Sequence, residues 1–426
     1  MKRMLIHPVL SLVLIMAFIF APMTFAETEY ESEVIQIPVE EIRLFAEVFD
    51  RIKSAYVEPV TDKQLLEDAI RGMLSGLDPH SAYLDAQAFE NIQINTSGRF
   101  GGLGIEVGLQ DGFIRVIAPI DDTPAQRAGI QAGDLITKIG EESTQGLSLN
   151  DAVERMRGRV GSRVTLTIVR DGVEKPFDVT LERSSISVTS VRHRLLETGY
   201  GMIRISQFQN NTAEQLKKSI ETLKSMGELK GIVLDLRNNP GGVLQAAVQV
   251  GDVFISEGLI VYTEGRLPNS ELRFNATRET LLPDIPMVVL INAGSASASE
   301  IVAGALQDHR RAVIMGTDSF GKGSVQTILP VSSGRGVKLT TARYFTPNGR
   351  SIQADGIRPD VVVEDARVTQ VEQTHQVRER DLSGHLGGTE PHSRAVSEPL
   401  GQRDYQLYEA LNLLKALNVV NPNRAN

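Results

Sequence analysis

The chain has 426 residues, with 44 Lys and Arg against 53 Asp and Glu, 41% hydrophobic residues, no Cys and no Trp. That length fits two or three domains with ample core, and the composition is too apolar for a disordered chain. A net charge of −9 leaves no basic footprint for nucleic acid, and the lack of cysteine excludes a disulfide scaffold, a zinc ribbon, a thiol nucleophile and a cysteine-anchored lipoprotein.

Residues 1–26 begin with Lys2, Arg3 and His7, continue as an apolar run over 9–20, and end on small residues up to Ala26. This is the order of a secretory signal, with cleavage expected after Ala26. A retained anchor would need about 20 apolar residues, and this run is shorter. The expectation is export to the periplasm or cell envelope, with membrane association only if the segment stays.

Residues 27–95 form an N-terminal segment that reads as helical from about 33. Ile42, Phe45, Val48, Phe49 and Ile52 recur at three-to-four spacing, and Leu65, Leu66, Ala69, Ile70 and Met73 follow a break at Pro59 to Asp62. Two such helices cannot make a core alone, so a partner domain or a second subunit is expected to cover them. From Gly98 the period changes to two. Runs beginning at Gly101, Phe113 and Val164 read as strands, Asp111-Gly112 and Asp171-Gly172 as turns, and 124–129 and 149–156 as short helices. This predicts a compact mixed β domain over 96–183.

Residues 184–366 alternate strand and helix. Strands are expected at 201–205, 232–236, 287–291, 312–315 and 326–330, and helices at 213–226, 244–254 and 299–306, an α/β layer with crossover helices. Residues 265–284 read as a polar insertion. In 367–426 a polar linker precedes a last helix at 405–417, with Leu407, Leu411, Leu414 and Leu417 on one side.

Three features could carry chemistry. Asn292 to Glu300 follows an apolar strand and is rich in Ser and Ala. A serine there would sit at a helix N-terminus in positive partial charge. Ser297-x-x-Glu300 also fits a capping box, and on that pattern alone the simple cap leads. The segment 316–324 contains G-x-x-x-x-G-K, but Gly323 stands where a phosphate loop needs Ser or Thr. Lys322, Ser324 and Gln326 would share one face by alternation, which makes Lys322 either a solvated lysine or a candidate base. Asn239-Pro-Gly-Gly242 is a good turn, or a source of free N–H groups for an oxyanion. His80, His193 and His309 have no partner at recognisable spacing, and no G-x-S-x-G, H-E-x-x-H or calcium loop occurs. A serine–lysine arrangement explains more than a histidine triad or a metal, and no cofactor is called for.

With these residues in place the chain resembles the carboxy-terminal processing peptidases, tail-specific serine proteases of the S41 peptidase family with a PDZ domain. The likeness runs over about residues 40–365. Gly102-Leu-Gly-Ile105 and Pro124-Ala-x-x-Ala-Gly-Ile-x-x-Gly-Asp134 match the PDZ domain. Asp235-Leu-Arg-x-Asn-Pro-Gly-Gly242, Gly294-Ser-Ala-Ser-Ala-Ser-Glu300, Gly321-Lys-Gly-x-x-Gln326 and Tyr344-x-Thr-Pro-x-Gly-Arg-x-Ile-Gln353 match the protease core.

The resemblance implies a multidomain α/β protein with a ClpP/crotonase-like core. It places the nucleophile on Ser297, the base on Lys322, the lysine's holder on Gln326 and the oxyanion hole on the amides of Gly241 and Ala298. It gives Gly102, Leu103, Gly104 and Ile105 the substrate's terminal carboxylate. It also implies protein substrates with free C-termini, an activating adaptor in some members, and homo-oligomers through terminal helices. The competing expectations are a non-catalytic PDZ scaffold, which would have lost Ser297 or Lys322, and a small-acyl hydrolase, which would not need a PDZ domain.

Overall fold

The computed structural model describes residues 38–366, apart from Asp111, Asp121, Pro268, Asn269 and Glu279, and residues 400–420. The signal expected at 1–26 and the polar linker from 367 lie outside the described residues. Two compact units divide the chain at Asp68. In the first, helix Val39–Ala55 buries none of its residues and leaves Ile42, Phe45 and Val48 about half exposed.

The helical reading of 33–95 needs one correction. After helix Asp62–Ser75 the chain forms the short strand Ala82–Leu84 before helix Ala86–Ser97. Asp85 caps that third helix, its side chain accepting from Ala88 N–H at 2.9 Å. The strand exists because it pairs antiparallel with Arg335–Phe345, more than 250 residues away, a partner no local pattern can announce.

The mixed β domain is an antiparallel sheet ordered Ile105–Gln110, Phe113–Pro119, Leu135–Ile139, Arg163–Val169, Phe177–Glu182. Helices Pro124–Arg127 and Leu149–Met156 flank it. Its core holds Ile114, Ile136, Leu166 and Ile168, all without solvent exposure, each contributing about 1.5–3 kcal/mol by burial. Residues 184–187, at the expected start of the next domain, form a strand, Ser184–Ser187, that pairs with Arg99–Gly102.

The larger α/β layer is a sheet ordered Val191–Glu197, Tyr200–Ile205, Gly231–Asp235, Met287–Ile291, Val313–Gly316, Val361–Val362, parallel except at its first pair. Its central strands are buried on both faces, as a parallel sheet requires. Ile232, Leu234, Met287, Val289 and Ile291 point to one face, which helices Thr212–Ser225, Leu244–Asp252 and Ala298–Asp308 cover. Val233, Val288 and Leu290 point to the other, where helix Tyr405–Val420 lays Leu407, Leu411 and Leu414. The 407–417 stripe, expected to serve assembly, is therefore used within its own chain.

A further sheet carries the long hairpin of Ser324–Val331 and Arg335–Phe345. Strand Leu259–Gly265 joins that hairpin, and Leu272–Asn275 pairs with Leu259–Gly265. The polar stretch 265–284 thus contributes a strand rather than a plain insertion.

Candidate active site

Three adjacent parallel strands, Gly231–Asp235, Met287–Ile291 and Val313–Gly316, end side by side and send out the loops that bear the three sequence features. Carboxyl ends of parallel strands are where such sheets form sites. The loop after Val313–Gly316 leads to a strand, Ser324–Val331, not a helix. A phosphate loop opens a helix, so the nucleotide reading of 316–324 fails.

The serine-bearing turn is stitched to its neighbour. Ser295 Oγ donates to Leu236 O at 2.8 Å and accepts from Asn292 N–H at 3.0 Å, and Ser299 Oγ donates to Asn239 O at 3.0 Å. Both hydroxyls are buried and committed. Ser297 between them is half-buried and faces a cavity of about 460 Å³. Its φ of 57° and ψ of −114° put a non-glycine residue in a sparsely populated region.

Glu300, fully buried, holds that strained residue in place. Its Oε2 accepts from Ser297 N–H at 2.6 Å and from Lys322 N–H at 2.9 Å. Its Oε1 accepts from Gly321 N–H and the Ser319 hydroxyl, each at 2.6 Å. One carboxylate therefore fastens the serine turn to the lysine loop. The capping pattern was legible in Ser297-x-x-Glu300, but the reach of Glu300 to 319–322 was not.

Lys322, Gln326, Gly241, Gly242 and Ala298 line the same cavity as Ser297. Lys322 is held below its ordinary value, chiefly by burial, with Lys338's positive charge adding and Asp78 and Glu300 opposing. Its Nζ makes no hydrogen bond or ion pair to a described residue. The Gln326 amide does not hold it here: Nε2 donates to Ser324 Oγ at 2.9 Å instead. Tyr344 opens one of the motifs that match the protease core, but that match assigns it no role of its own. Its hydroxyl donates to Lys322 O, and burial, then Glu300's charge, push it well above its usual value, partly offset by the Ser297 side chain.

The glycine pair divides its labour. A Cβ on Gly241 would lie 2.8 Å from Ser297 Cβ and 3.0 Å from Ala298 N, so only glycine allows this approach. The Gly241 N–H, however, donates to Asn239 Oδ1 at 2.9 Å. The N–H groups of Gly242 and Ala298 donate to no described residue.

In the mixed β domain, Leu103 is buried and its carbonyl accepts from Ala125 N–H at 3.0 Å. Gly104 has φ 77°, and a Cβ there would meet Thr123 at 2.2 Å, so its glycine is needed for packing as well as for backbone angle. The N–H groups of Leu103 and Gly104 donate to no described residue. Gly102 pairs with Ser184 and Ile105 with Pro119, which fixes both flanks of this loop.

Among the described residues no helix is long and apolar enough to cross a membrane. The model of peptidase family S41 matches residues 199–363, that of the PDZ domain 115–170, and that of the activating protease CtpB N-terminal domain 20–88. The carboxy-terminal-processing protease of Bartonella bacilliformis is 47% identical over 381 residues, covering 87% of each chain. The carboxyl-terminal-processing protease of Synechocystis is 38% identical, covering 76% of this chain and 77% of its own. The carboxy-terminal processing protease CtpA of Bacillus subtilis is 36% identical, covering 74% and 67%. A PDZ domain, a core with its loops gathered at the ends of parallel strands, and this degree of identity along most of the sequence agree: the chain belongs to the carboxy-terminal processing proteases of peptidase family S41.

Proposed function

We propose that this protein is an exported serine endopeptidase that cleaves proteins at or near their C-terminal tails with a Ser297–Lys322 dyad. One observation carries the reading: of the three turn serines Ser297 alone lines the cavity, and it shares it with a lysine disfavoured in its charged form. Neutral Lys322 takes the Ser297 proton as Oγ attacks the scissile carbonyl. The developing oxyanion is met by Ala298 N–H and a second N–H from the Gly241-Gly242 pair. Removing one such donor typically costs about 10²–10³ in kcat. Lys322 then returns the proton to the leaving amine, and water hydrolyses the acyl-enzyme. The missing Ser297–Lys322 bond is in keeping with apo sites, whose catalytic hydrogen bonds tighten only with substrate.

The free N–H groups of Leu103 and Gly104 would donate to the substrate's terminal carboxylate while its chain adds as a strand. Residues 1–26 would direct export, and an activating adaptor and self-assembly through the exposed face of Val39–Ala55 complete the reading. The test uses the purified chain and matched peptides with free or amidated C-termini. Faster cleavage of the free acid, and none by Ser297→Ala or Lys322→Ala, is expected. Equal rates on the two peptides would refute the carboxylate reader, and full activity in Ser297→Ala would refute the dyad.

A further inference from the structure

The Gln326 carboxamide is tied down at one end only. Nε2 donates to Ser324 O at 3.2 Å, to Ser324 Oγ at 2.9 Å and to Thr340 Oγ1 at 3.4 Å, while Oε1 accepts from no described residue. Thr340 Oγ1 in turn lies 3.2 Å from Asp78 Oδ1. Asp78 also accepts from the N–H groups of His80 and Ser81 at 2.8 and 2.9 Å, and from Ser81 Oγ at 2.6 Å. Ser81 Oγ accepts Thr340 N–H at 3.2 Å, so the 78–81 turn grips Thr340 from two directions.

Proton direction along this chain is determined at its Asp78 end. An ionised carboxylate only accepts. Burial works to protonate Asp78, but the hydrogen bonds from Ser81, His80 and Thr340 outweigh it and hold the group below its usual value. The Thr340 hydroxyl must therefore give its proton to Asp78 and offer lone pairs to Gln326. Together with the Ser324 carbonyl, which can only accept, that choice places the NH₂ of Gln326 on this side and leaves the carbonyl end for the cavity that Lys322 lines. A Thr340 hydroxyl free to rotate would serve either orientation of the amide and leave the Ser324 carbonyl alone to set it.

We propose that Asp78 is a positioning residue for this protease, acting through the Thr340 hydroxyl, alongside the Ser324 carbonyl, to hold the Gln326 carboxamide with its carbonyl end toward Lys322. The proposal rests on Lys322 as base with Gln326 as its holder. A purely structural role for the contact, fastening strand Ala82–Leu84 to Arg335–Phe345, would affect stability but not kcat on its own.

Thr340→Val keeps the branched shape and removes the hydroxyl, whereas Thr340→Ser keeps the hydroxyl. With an unstructured peptide substrate, Thr340→Val is expected to lose about tenfold in kcat, the size of one positioning hydrogen bond, with KM unchanged. Thr340→Ser should restore kcat, and Thr340→Val should add nothing in a Gln326→Ala background, because the two act as one unit. Thr340→Ala carries the same expectations should the valine variant fail to fold. Additive losses in the double variant, or full kcat in Thr340→Val beside an impaired Gln326→Ala, would overturn the relay alone. Full kcat in Gln326→Ala would overturn the holder role and the relay together, and full activity in Lys322→Ala would remove the dyad on which both rest.

Discussion

Replacing Glu300 by Gln tests how the serine turn and the lysine loop are kept in register. Both carboxylate oxygens accept from N–H groups: Oε2 from Ser297 and Lys322, Oε1 from Gly321, with the Ser319 hydroxyl beside it. A glutamine must turn its NH₂ toward one of these pairs. Toward Ser297 and Lys322 it would face two donors and lose both. Toward Ser319 and Gly321 it loses one, because the hydroxyl can accept in place of donating. The better orientation therefore leaves a single buried N–H unsatisfied, a cost of about 1–3 kcal/mol. Urea unfolding of Glu300→Gln should show that loss with the m-value unchanged. Because Ser297 sits in a strained backbone conformation held by this contact, kcat should fall with it, by more than tenfold. Wild-type stability together with wild-type kcat in Glu300→Gln would refute the argument that this carboxylate holds the two loops.

Other outcomes follow from the same geometry. Ser295→Ala removes a buried bond to Leu236 O and should cost about 1 kcal/mol of stability while keeping cleavage, whereas Ser297→Ala should keep stability and lose cleavage. The reverse pattern would show the wrong serine was chosen. Since burial lowers Lys322 and only its neutral form can act as base, kcat/KM should rise with pH through its titration and be lost on acidification. A profile flat into mildly acidic buffer would argue against the lysine. Lys338→Met removes the positive charge that helps lower Lys322, so it should move that limb to higher pH, and an unmoved or downward-moved limb would contradict the electrostatic account.

The parts of this molecule that were legible in sequence are those whose signal is local. Strand Met287–Ile291 is a continuous apolar run because both its faces are buried, and its bounds match the expectation. The Ser297, Lys322 and Gly241 loops announce themselves through glycine, alanine and capping chemistry. What was not legible depends on partners far along the chain. Arg335–Phe345 carries Thr340, Thr341 and Arg343 on a half-exposed sheet, so its alternation is blurred. Asp78 carried no signal in the sequence, and its bond to Thr340 spans 262 residues. The leucines of 407–417 and the apolar stripe of 42–52 look alike in sequence. One stripe nevertheless meets a sheet within its own chain, while the other stays exposed.

The helix Tyr405–Val420 has a consequence for how the protease comes into being. Until it docks, Met202, Val233, Val288, Leu290 and Met315 have no cover, and Arg237 lacks the Asp404 carboxylate that takes two of its hydrogen bonds. Arg237 and Asp404 are 167 residues apart, and so distant a contact forms late and slowly. A nascent chain that has already made the central strands therefore carries a sticky apolar face, the kind of species that chaperones retain. The same delay leaves the Asn239-Pro-Gly-Gly242 loop, two residues beyond Arg237, without its anchor. The Arg237–Asp404 pair thus couples the seating of helix Tyr405–Val420 to that of a site loop.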